Sequence, residues 1–154
     1  MANACSHIGL CVTDLARSRR FYEEVFGFRA AFDLRTEGPE TPQLLRLASP
    51  LTLDAVYLAL DGLLLELLHF ERPESPAAQP RALNEPGLTH LSLFVEDLPA
   101  AVEAVPRYGG RVREDTNIGV AVFVEDPDGQ AIEVIGPQGQ FRAMRDQALR
   151  KLSD

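Results

Sequence analysis

The sequence predicts an α+β fold made of two copies of a β-α-β-β-β module, followed by a C-terminal helix. Two observations support this prediction. A stretch near the N-terminus recurs in the middle of the chain, and an Asp-Gly turn leading to a Glu recurs late in each copy. Because repeated sequence blocks usually mark repeated structural units, the repeat indicates the architecture before any single element is considered.

The first repeated block is a His followed by an apolar run that ends in Asp-Leu. Residues 6–15 align with residues 89–98 at a constant offset of 83, and each position matches in character. The short runs rich in Ile, Leu and Val within these blocks predict strands near residues 5–13 and 88–95. Each module therefore begins with a strand that carries a His near its start.

A helical pattern follows the first strand of each module. Asp14 and Asp97 precede these patterns and are predicted to be the N-caps. Gly27 is the predicted end of the first helix. Pro106 falls late in the second pattern and is expected to shorten that helix, because proline lacks the backbone N–H.

The second repeated block places a Glu in an apolar strand just after an Asp-Gly turn. Residues 61–66 align with residues 128–133 at an offset of 67. Asp-Gly is a strong signal for a turn between neighbouring antiparallel strands. These turns and their flanking runs predict strands near 28–35, 51–60 and 62–70 in module one and near 111–115, 119–126 and 130–136 in module two. The second offset is 16 residues smaller than the first, which indicates an insertion in module one, placed between Glu37 and Pro50.

The whole chain, residues 1–154, is predicted to form a single domain. Its predicted parts are module one at about 4–71, a linker at about 72–86, module two at about 87–136 and an amphipathic C-terminal helix at about 138–152.

Composition and charge exclude several classes of function. The formal net charge is -8 and no Lys/Arg-rich run occurs, so the chain would repel a polyanion and nucleic acid is not an expected partner. No apolar stretch approaches the roughly 20 residues that span a bilayer, so no membrane partner is expected. The N-terminus shows no basic region followed by an apolar core, so no secretory signal is predicted.

The two cysteines, Cys5 and Cys11, both fall in the first predicted strand. Six residues of strand separate their Cα atoms by about 20 Å, whereas a disulfide requires about 7 Å or less. They are therefore predicted to be free thiols and small apolar core residues. Free thiols suit a reducing compartment, so a cytoplasmic location is expected.

The repeat also pairs the residues best suited to chemistry. His7 and His90 lie on the first strands of the two modules, and Glu66 and Glu133 lie on the last. A charged group in an apolar strand needs a partner, because burying it alone costs several kcal/mol. Two imidazoles and two carboxylates suit one divalent Zn, Ni, Co, Mn or Fe ion. An octahedral ion bound this way keeps two positions for vicinal substrate oxygens.

Ordinary structural roles compete with this interpretation. A single strand His is commonly a hydrogen-bonded structural residue, and a single strand Glu commonly faces solvent; their recurrence at equivalent positions favours the metal site. His69 lies three residues after Glu66, so strand alternation predicts that it points to the opposite face. The segment 125–129 is acidic but is predicted to be a turn, because the other ligands of a calcium loop are missing.

At these residues the chain resembles the vicinal oxygen chelate superfamily. That superfamily includes glyoxalase I, methylmalonyl-CoA epimerase, extradiol dioxygenases, fosfomycin-resistance enzymes and bleomycin-binding proteins. The resemblance runs to about Gly136, and its most specific pieces are residues 7–10, 21–22, 26–28, 90–93 and 124–133. It implies paired modules whose curved sheets, mixed but largely antiparallel, form a cup around a metal.

The resemblance is greatest to glyoxalase I, which takes one His and one Glu from each module. It implies His7, Glu66, His90 and Glu133 as metal ligands and a lyase or isomerase of the glyoxalase or epimerase type. Such an enzyme abstracts a proton next to a metal-bound carbonyl through an enediolate, with Glu133, or alternatively Glu66, as the base. No separate organic cofactor is expected.

The resemblance leaves two other functions open. One is an extradiol-type Fe(II) dioxygenase, and the other is a non-catalytic, bleomycin-resistance-like protein that binds a small molecule. A small-molecule substrate and a homodimer are expected, with the metal held within one chain or across a dimer. The sequence shows no clear glutathione, mycothiol or coenzyme A signature.

Overall fold

The computed structural model describes residues 4–76, 79 and 81–153 and shows two β-α-β-β-β modules, which confirms the predicted fold class. Contacts divide the chain into two compact units, Met1–Gln79 and Pro80–Asp154. Residues 77, 78 and 80 of the predicted linker lie outside the described residues. No helix in the described part of the chain is long and apolar enough to cross a membrane.

The first unit contains one four-stranded mixed sheet. Its elements are β1 (Ile8–Cys11), α1 (Leu15–Phe26), β2 (Arg29–Thr36), α2 (Glu40–Leu45), β3 (Thr52–Leu60) and β4 (Leu63–Arg72). The strand order is β1-β4-β3-β2; β1 runs parallel to β4, and the other neighbouring pairs are antiparallel. The first and last strands of the module therefore lie side by side.

The second unit repeats this topology. Its elements are β5 (Leu91–Phe94), α3 (Leu98–Arg107), β6 (Arg111–Val112), β7 (Ala121–Glu125), β8 (Ala131–Ile135) and the C-terminal α4 (Phe141–Ser153). The strand order is β5-β8-β7-β6, again with a parallel first pair and antiparallel neighbours. The same pairing of first and last strands therefore occurs in both units.

The helices begin where the sequence predicts. The Asp14 carboxylate accepts a hydrogen bond from the backbone N–H of Arg17 at 3.0 Å, and Asp97 accepts one from Ala100 at 2.9 Å. Gly27 ends α1 in the left-handed conformation with φ 75°. Helix α3 has 10 residues against 12 in α1, and it ends one residue after Pro106.

Three local predictions are wrong or incomplete. The insertion contains a helix, α2, that the sequence did not indicate, because six residues are too few to show a helical period. Strand β6 spans only residues 111–112, and residues 114–116 form a 3-10 helix in place of the predicted strand end. Cys5 and Cys11 are exposed and not in the core. Burial alternates along β1, and Cys11 lies on its exposed face.

Each unit has its own apolar core under one face of its sheet. In the first unit α1 packs against β3 and β4. The most deeply buried apolar side chains are Val12, Phe21, Tyr22, Leu58, Leu65 and Leu67 in the first unit and Val105, Val122, Val124, Ile132 and Val134 in the second. Because strand side chains alternate between faces, their strand neighbours point away from these cores.

Asp126 organises the turn that leads into β8. Its carboxylate accepts hydrogen bonds from the backbone N–H groups of Asp128 at 2.9 Å and Gln130 at 2.8 Å. Gly129 adopts φ 88°, which closes the turn. Asp126 is only 4% exposed, and its carboxylate stabilises the turn that the sequence predicts.

We expect Asp126→Ala to lower the free energy of unfolding by about 2 kcal/mol, because two partly buried N–H groups lose a charged acceptor. Denaturant titration followed by far-ultraviolet circular dichroism measures this change. Asp126→Asn is the matched control, since its amide oxygen can still accept, and it should cost less than half as much. Equal losses in the two variants would contradict this role for the carboxylate.

Candidate metal centre

In the first unit, strand pairing brings His7 and Glu66 together. His7 directly precedes β1, and β1 pairs with β4 so that Gly9 lies opposite Glu66. His7 and Glu66 thus share one face of the sheet, with Nε2 of the imidazole 3.2 Å from Oε2 of the carboxylate. The Glu66 side chain is largely buried.

The second unit builds the same pair from the same strand positions. His90 directly precedes β5, and β5 pairs with β8 so that Ser92 lies opposite Glu133. Nε2 of His90 is 3.8 Å from Oε2 of Glu133. The two His–Glu pairs, which occupy equivalent positions in the sequence, therefore also have similar geometry within their units.

The spacing of both pairs fits a divalent metal ion. Two N/O donors about 2.1 Å from an ion lie roughly 3.0 Å apart at a right angle and roughly 3.4 Å apart at a tetrahedral angle. The observed separations of 3.2 and 3.8 Å require only small movements to reach these values. Among the described residues, neither unit by itself gathers three His, Cys, Asp or Glu side chains into a metal site. Each unit thus contains one His–Glu pair.

Hydroxyl groups orient the two imidazoles. The Nδ1 atom of His7 lies 3.0 Å from the Ser6 hydroxyl, and Nδ1 of His90 lies 2.9 Å from the Thr89 hydroxyl. Each contact leaves Nε2 directed at the carboxylate. In metal-binding histidines, one ring nitrogen is commonly held by a hydrogen bond while the other coordinates the metal.

An aromatic side chain lies beside each imidazole, and the sequence did not single out either one. The ring centroids of His7 and Tyr57 are 5.5 Å apart, and those of His90 and Phe123 are 5.3 Å apart, both edge to face. Tyr57 pairs with Glu66 across β3 and β4, and Phe123 occupies the same place opposite its own Glu. In the sequence, both residues could have been recognised as an aromatic residue on the strand that precedes the Asp-Gly turn.

The two carboxylates differ in their hydroxyl donors. The buried Tyr57 hydroxyl donates a hydrogen bond to Oε1 of Glu66. Burial, with the hydrogen bond to Glu66, raises the pKa of Tyr57 to about 12, so the phenol stays protonated at neutral pH. In the second unit the donor is Ser92, whose hydroxyl lies 2.6 Å from Oε2 of Glu133.

The other polar candidates lie away from these pairs. His69 is directed to the opposite face of β4 from Glu66, where its Nδ1 is 3.3 Å from the carbonyl oxygen of Val12. On β7, burial disfavours the charged form of Glu125. Hydrogen bonds from the neighbouring Arg111 and Arg113 guanidinium groups outweigh this effect and lower the pKa of its carboxyl. Glu125 therefore belongs to a structural ion cluster.

Comparison with known proteins identifies relatives. The sequence profile described as Glyoxalase/Bleomycin resistance protein/Dioxygenase superfamily matches residues 4–134. A lactoylglutathione lyase from Haemophilus influenzae is 34% identical over 143 residues, covering 84% of this chain and 89% of the relative. Profile and relative each cover most of the chain, and the residues matched by the profile include the His and Glu of each unit.

Solved structures share the fold at low sequence identity. A glyoxalase family protein from Bacillus cereus superposes with a TM-score of 0.77 at 16% identity, covering 90% of this chain and 97% of that one. The fosfomycin resistance protein FosX from Listeria monocytogenes, solved with Mn(II) and a sulfate ion, gives a TM-score of 0.61 at 16% identity. That match covers 93% of this chain and 99% of FosX.

Proposed function

This chain belongs to the Glyoxalase/Bleomycin resistance protein/Dioxygenase superfamily, and on that premise we propose that it is a divalent-metal-dependent lyase or isomerase of the glyoxalase or epimerase type. The observation that carries the proposal is the recurrence of one His–Glu pair, at a spacing suited to chelation, at equivalent positions of both units. We propose that His7, Glu66, His90 and Glu133 together hold one ion.

The chemistry of the donors supports a first-row divalent metal. Two imidazole nitrogens and two carboxylate oxygens form a mixed set that suits Zn, Ni, Co, Mn or Fe in the divalent state. The relative FosX was solved with Mn(II), which agrees with this range. We infer that the two pairs meet around one ion, within one chain or across a homodimer.

The proposed reaction moves a proton between neighbouring carbons of a small substrate. A bound divalent ion would supply positive charge beside the carbonyl oxygen, where negative charge develops as the proton leaves. The Glu133 carboxylate would accept that proton and return it to the adjacent carbon. Its side chain is 27% exposed, against 11% for Glu66, so Glu133 has more room to move.

The relative from Haemophilus influenzae suggests a substrate class. That relative is named a lactoylglutathione lyase. Lactoylglutathione is a thioester and an isomer of the hemithioacetal that glutathione forms with a 2-oxoaldehyde. We propose a hemithioacetal of this kind, with glutathione or another small thiol, as the first substrate to test. In that reaction the proton on the thiol-bearing carbon moves to the neighbouring carbonyl carbon, so no oxidant or reductant is consumed.

The proposal can be tested by hydrogen–deuterium exchange. Protein reconstituted with Zn, Ni, Co or Mn is incubated in D₂O with hemithioacetals of methylglyoxal, 2-methyl-branched acyl thioesters and 2-hydroxy ketones, and proton NMR follows the carbon-bound protons. We expect exchange or isomerisation that depends on added metal. Oxygen uptake with a catechol and no exchange would favour the dioxygenase, whereas ligand binding without any metal requirement would favour a binding protein.

The homodimer and the cytoplasmic location stay predictions. The family resemblance supports the first, and the two free cysteines support the second.

A further inference from the structure

The two His–Glu pairs are alike in spacing but differ in the hydroxyl group that contacts each carboxylate. In the first unit the donor is Tyr57, on the strand antiparallel to the Glu66 strand. In the second unit the donor is Ser92, on the strand parallel to the Glu133 strand. Glu66 is therefore contacted by a hydroxyl from its antiparallel neighbouring strand, whereas Glu133 is contacted by a hydroxyl from its parallel neighbouring strand.

Each unit lacks the hydroxyl that the other one has. Phe123 stands opposite Glu133 where Tyr57 stands opposite Glu66, and its ring meets His90 in the same edge-to-face arrangement. Gly9 stands opposite Glu66 where Ser92 stands opposite Glu133. A Cβ atom at Gly9 would come within 3.1 Å of Leu68 and 3.4 Å of the Glu66 carboxylate, so this position has little room for a serine.

The two hydroxyl groups bind different oxygens relative to the histidine. Tyr57 donates to Oε1 of Glu66, whereas Oε2 faces the imidazole of His7 at 3.2 Å. The oxygen nearest His7 therefore takes no hydrogen bond from Tyr57, while the other oxygen is held. Such a hydrogen bond to the distant oxygen fixes a carboxylate in the orientation that a ligand requires.

The arrangement around Glu133 is the opposite. Ser92 donates at 2.6 Å to Oε2, the same oxygen that faces His90 at 3.8 Å. The hydroxyl therefore occupies a lone pair of the oxygen that would coordinate an ion. It offers this carboxylate a hydrogen bond whenever the carboxylate is not bound to an ion.

We propose that Tyr57 and Ser92 are positioning residues that assign different tasks to the two carboxylates: Tyr57 holds Glu66 as a permanent metal ligand, and Ser92 stabilises Glu133 in its detached position. This inference rests on the proposed metal-dependent function. It explains how two equivalent pairs can supply one fixed ligand and one mobile base.

Hydroxyl variants provide a test, with Co(II) as the probe and chelator competition as the measure of affinity. Tyr57→Phe gives the first unit the side chain that the second has naturally, and it should weaken Co(II) binding by about 10–100-fold. Phe123→Tyr is the matched control, because it adds a hydroxyl opposite Glu133 and leaves Glu66 unchanged; its Co(II) affinity should not fall. Thermal unfolding of both variants checks that the fold is retained.

Ser92→Ala tests the second half of the inference. With the Ser92 hydroxyl removed, Co(II) affinity should stay equal or increase. The visible ligand-field spectrum of Co(II) should then indicate that Glu133 coordinates a larger share of the bound ions. At saturating metal the exchange rate should fall by about 10-fold, within the range for loss of an outer-shell partner. Tyr57→Phe should instead show its main effect in Co(II) affinity.

The outcomes separate this inference from the proposed function. Parent protein that binds no Co(II) overturns the metal site and, with it, the inference. Parent protein that binds Co(II), with Tyr57→Phe binding equally tightly, overturns the inference alone. The same holds if Ser92→Ala loses Co(II) affinity as Tyr57→Phe does, because both hydroxyls would then merely support ligands.

Discussion

Glu133→Gln is expected to lower the rate of proton abstraction by about 10²–10⁴-fold, the usual contribution of a general base. The amide oxygen of Gln can still coordinate a metal, but the amide cannot accept the proton. The variant should therefore lose rate far more than it loses metal. Hydrogen–deuterium exchange at saturating Co(II) or Zn(II), followed by proton NMR, measures the rate, and chelator competition measures the affinity.

Glu66→Gln is the natural control for this variant, because the two carboxylates occupy equivalent strand positions. It should reduce metal affinity, since a neutral ligand replaces a charged one that Tyr57 orients. At saturating metal it should retain more of the exchange rate than Glu133→Gln does. A reversed order would assign the base to Glu66, and unchanged rates in both variants would refute a carboxylate base.

His7→Ala and His90→Ala are each expected to weaken metal binding by at least about 100-fold, because loss of a ligand should exceed the 10–100-fold effect of losing an outer-shell partner. Elemental analysis after reconstitution and dialysis should find about one ion per parent chain and almost none in either variant. The parent protein should lose the ion to a chelator as well.

The third histidine provides a matched control for these variants. His69 lies on the opposite face of β4 from Glu66, near the carbonyl oxygen of Val12. His69→Ala should therefore retain the ion at the parent level. If all three alanine variants bound metal equally well, the ligand assignment would be wrong; if only one of His7→Ala and His90→Ala lost it, one unit alone would hold the ion.

The modular architecture follows from sequence because its signals are local. The N-cap aspartates bond to backbone N–H groups three residues away, and the Asp61-Gly62 turn needs only its own positive φ angles of 46° and 79°. The alternation of apolar residues likewise depends on neighbours along the chain. The repeat of His and Glu was visible for the same reason, since equivalent positions keep constant offsets of 83 and 67.

The location of Cys11 could not be derived in this way. An apolar run as short as β1 predicts a strand but does not say which residues face the core. The face became clear only from pairing with β4, which places Ile8 and Leu10 toward the protein and Cys11 on the exposed side. The helix α2 was hidden for a related reason, since six residues cannot display a period.

The chain by itself therefore determined the two modules and the His–Glu pair that recurs between them, whereas the partners of those carboxylates depended on tertiary pairing. The turn between β3 and β4 has two residues, with Leu60 paired to Leu63, but five residues separate β7 from β8. This difference shifts the register, so the offset of 67 aligns Tyr57 with Val124, although the residue opposite Glu133 is Phe123. Strand register is a property of the paired sheet, and it alone decides which hydroxyl reaches which carboxylate.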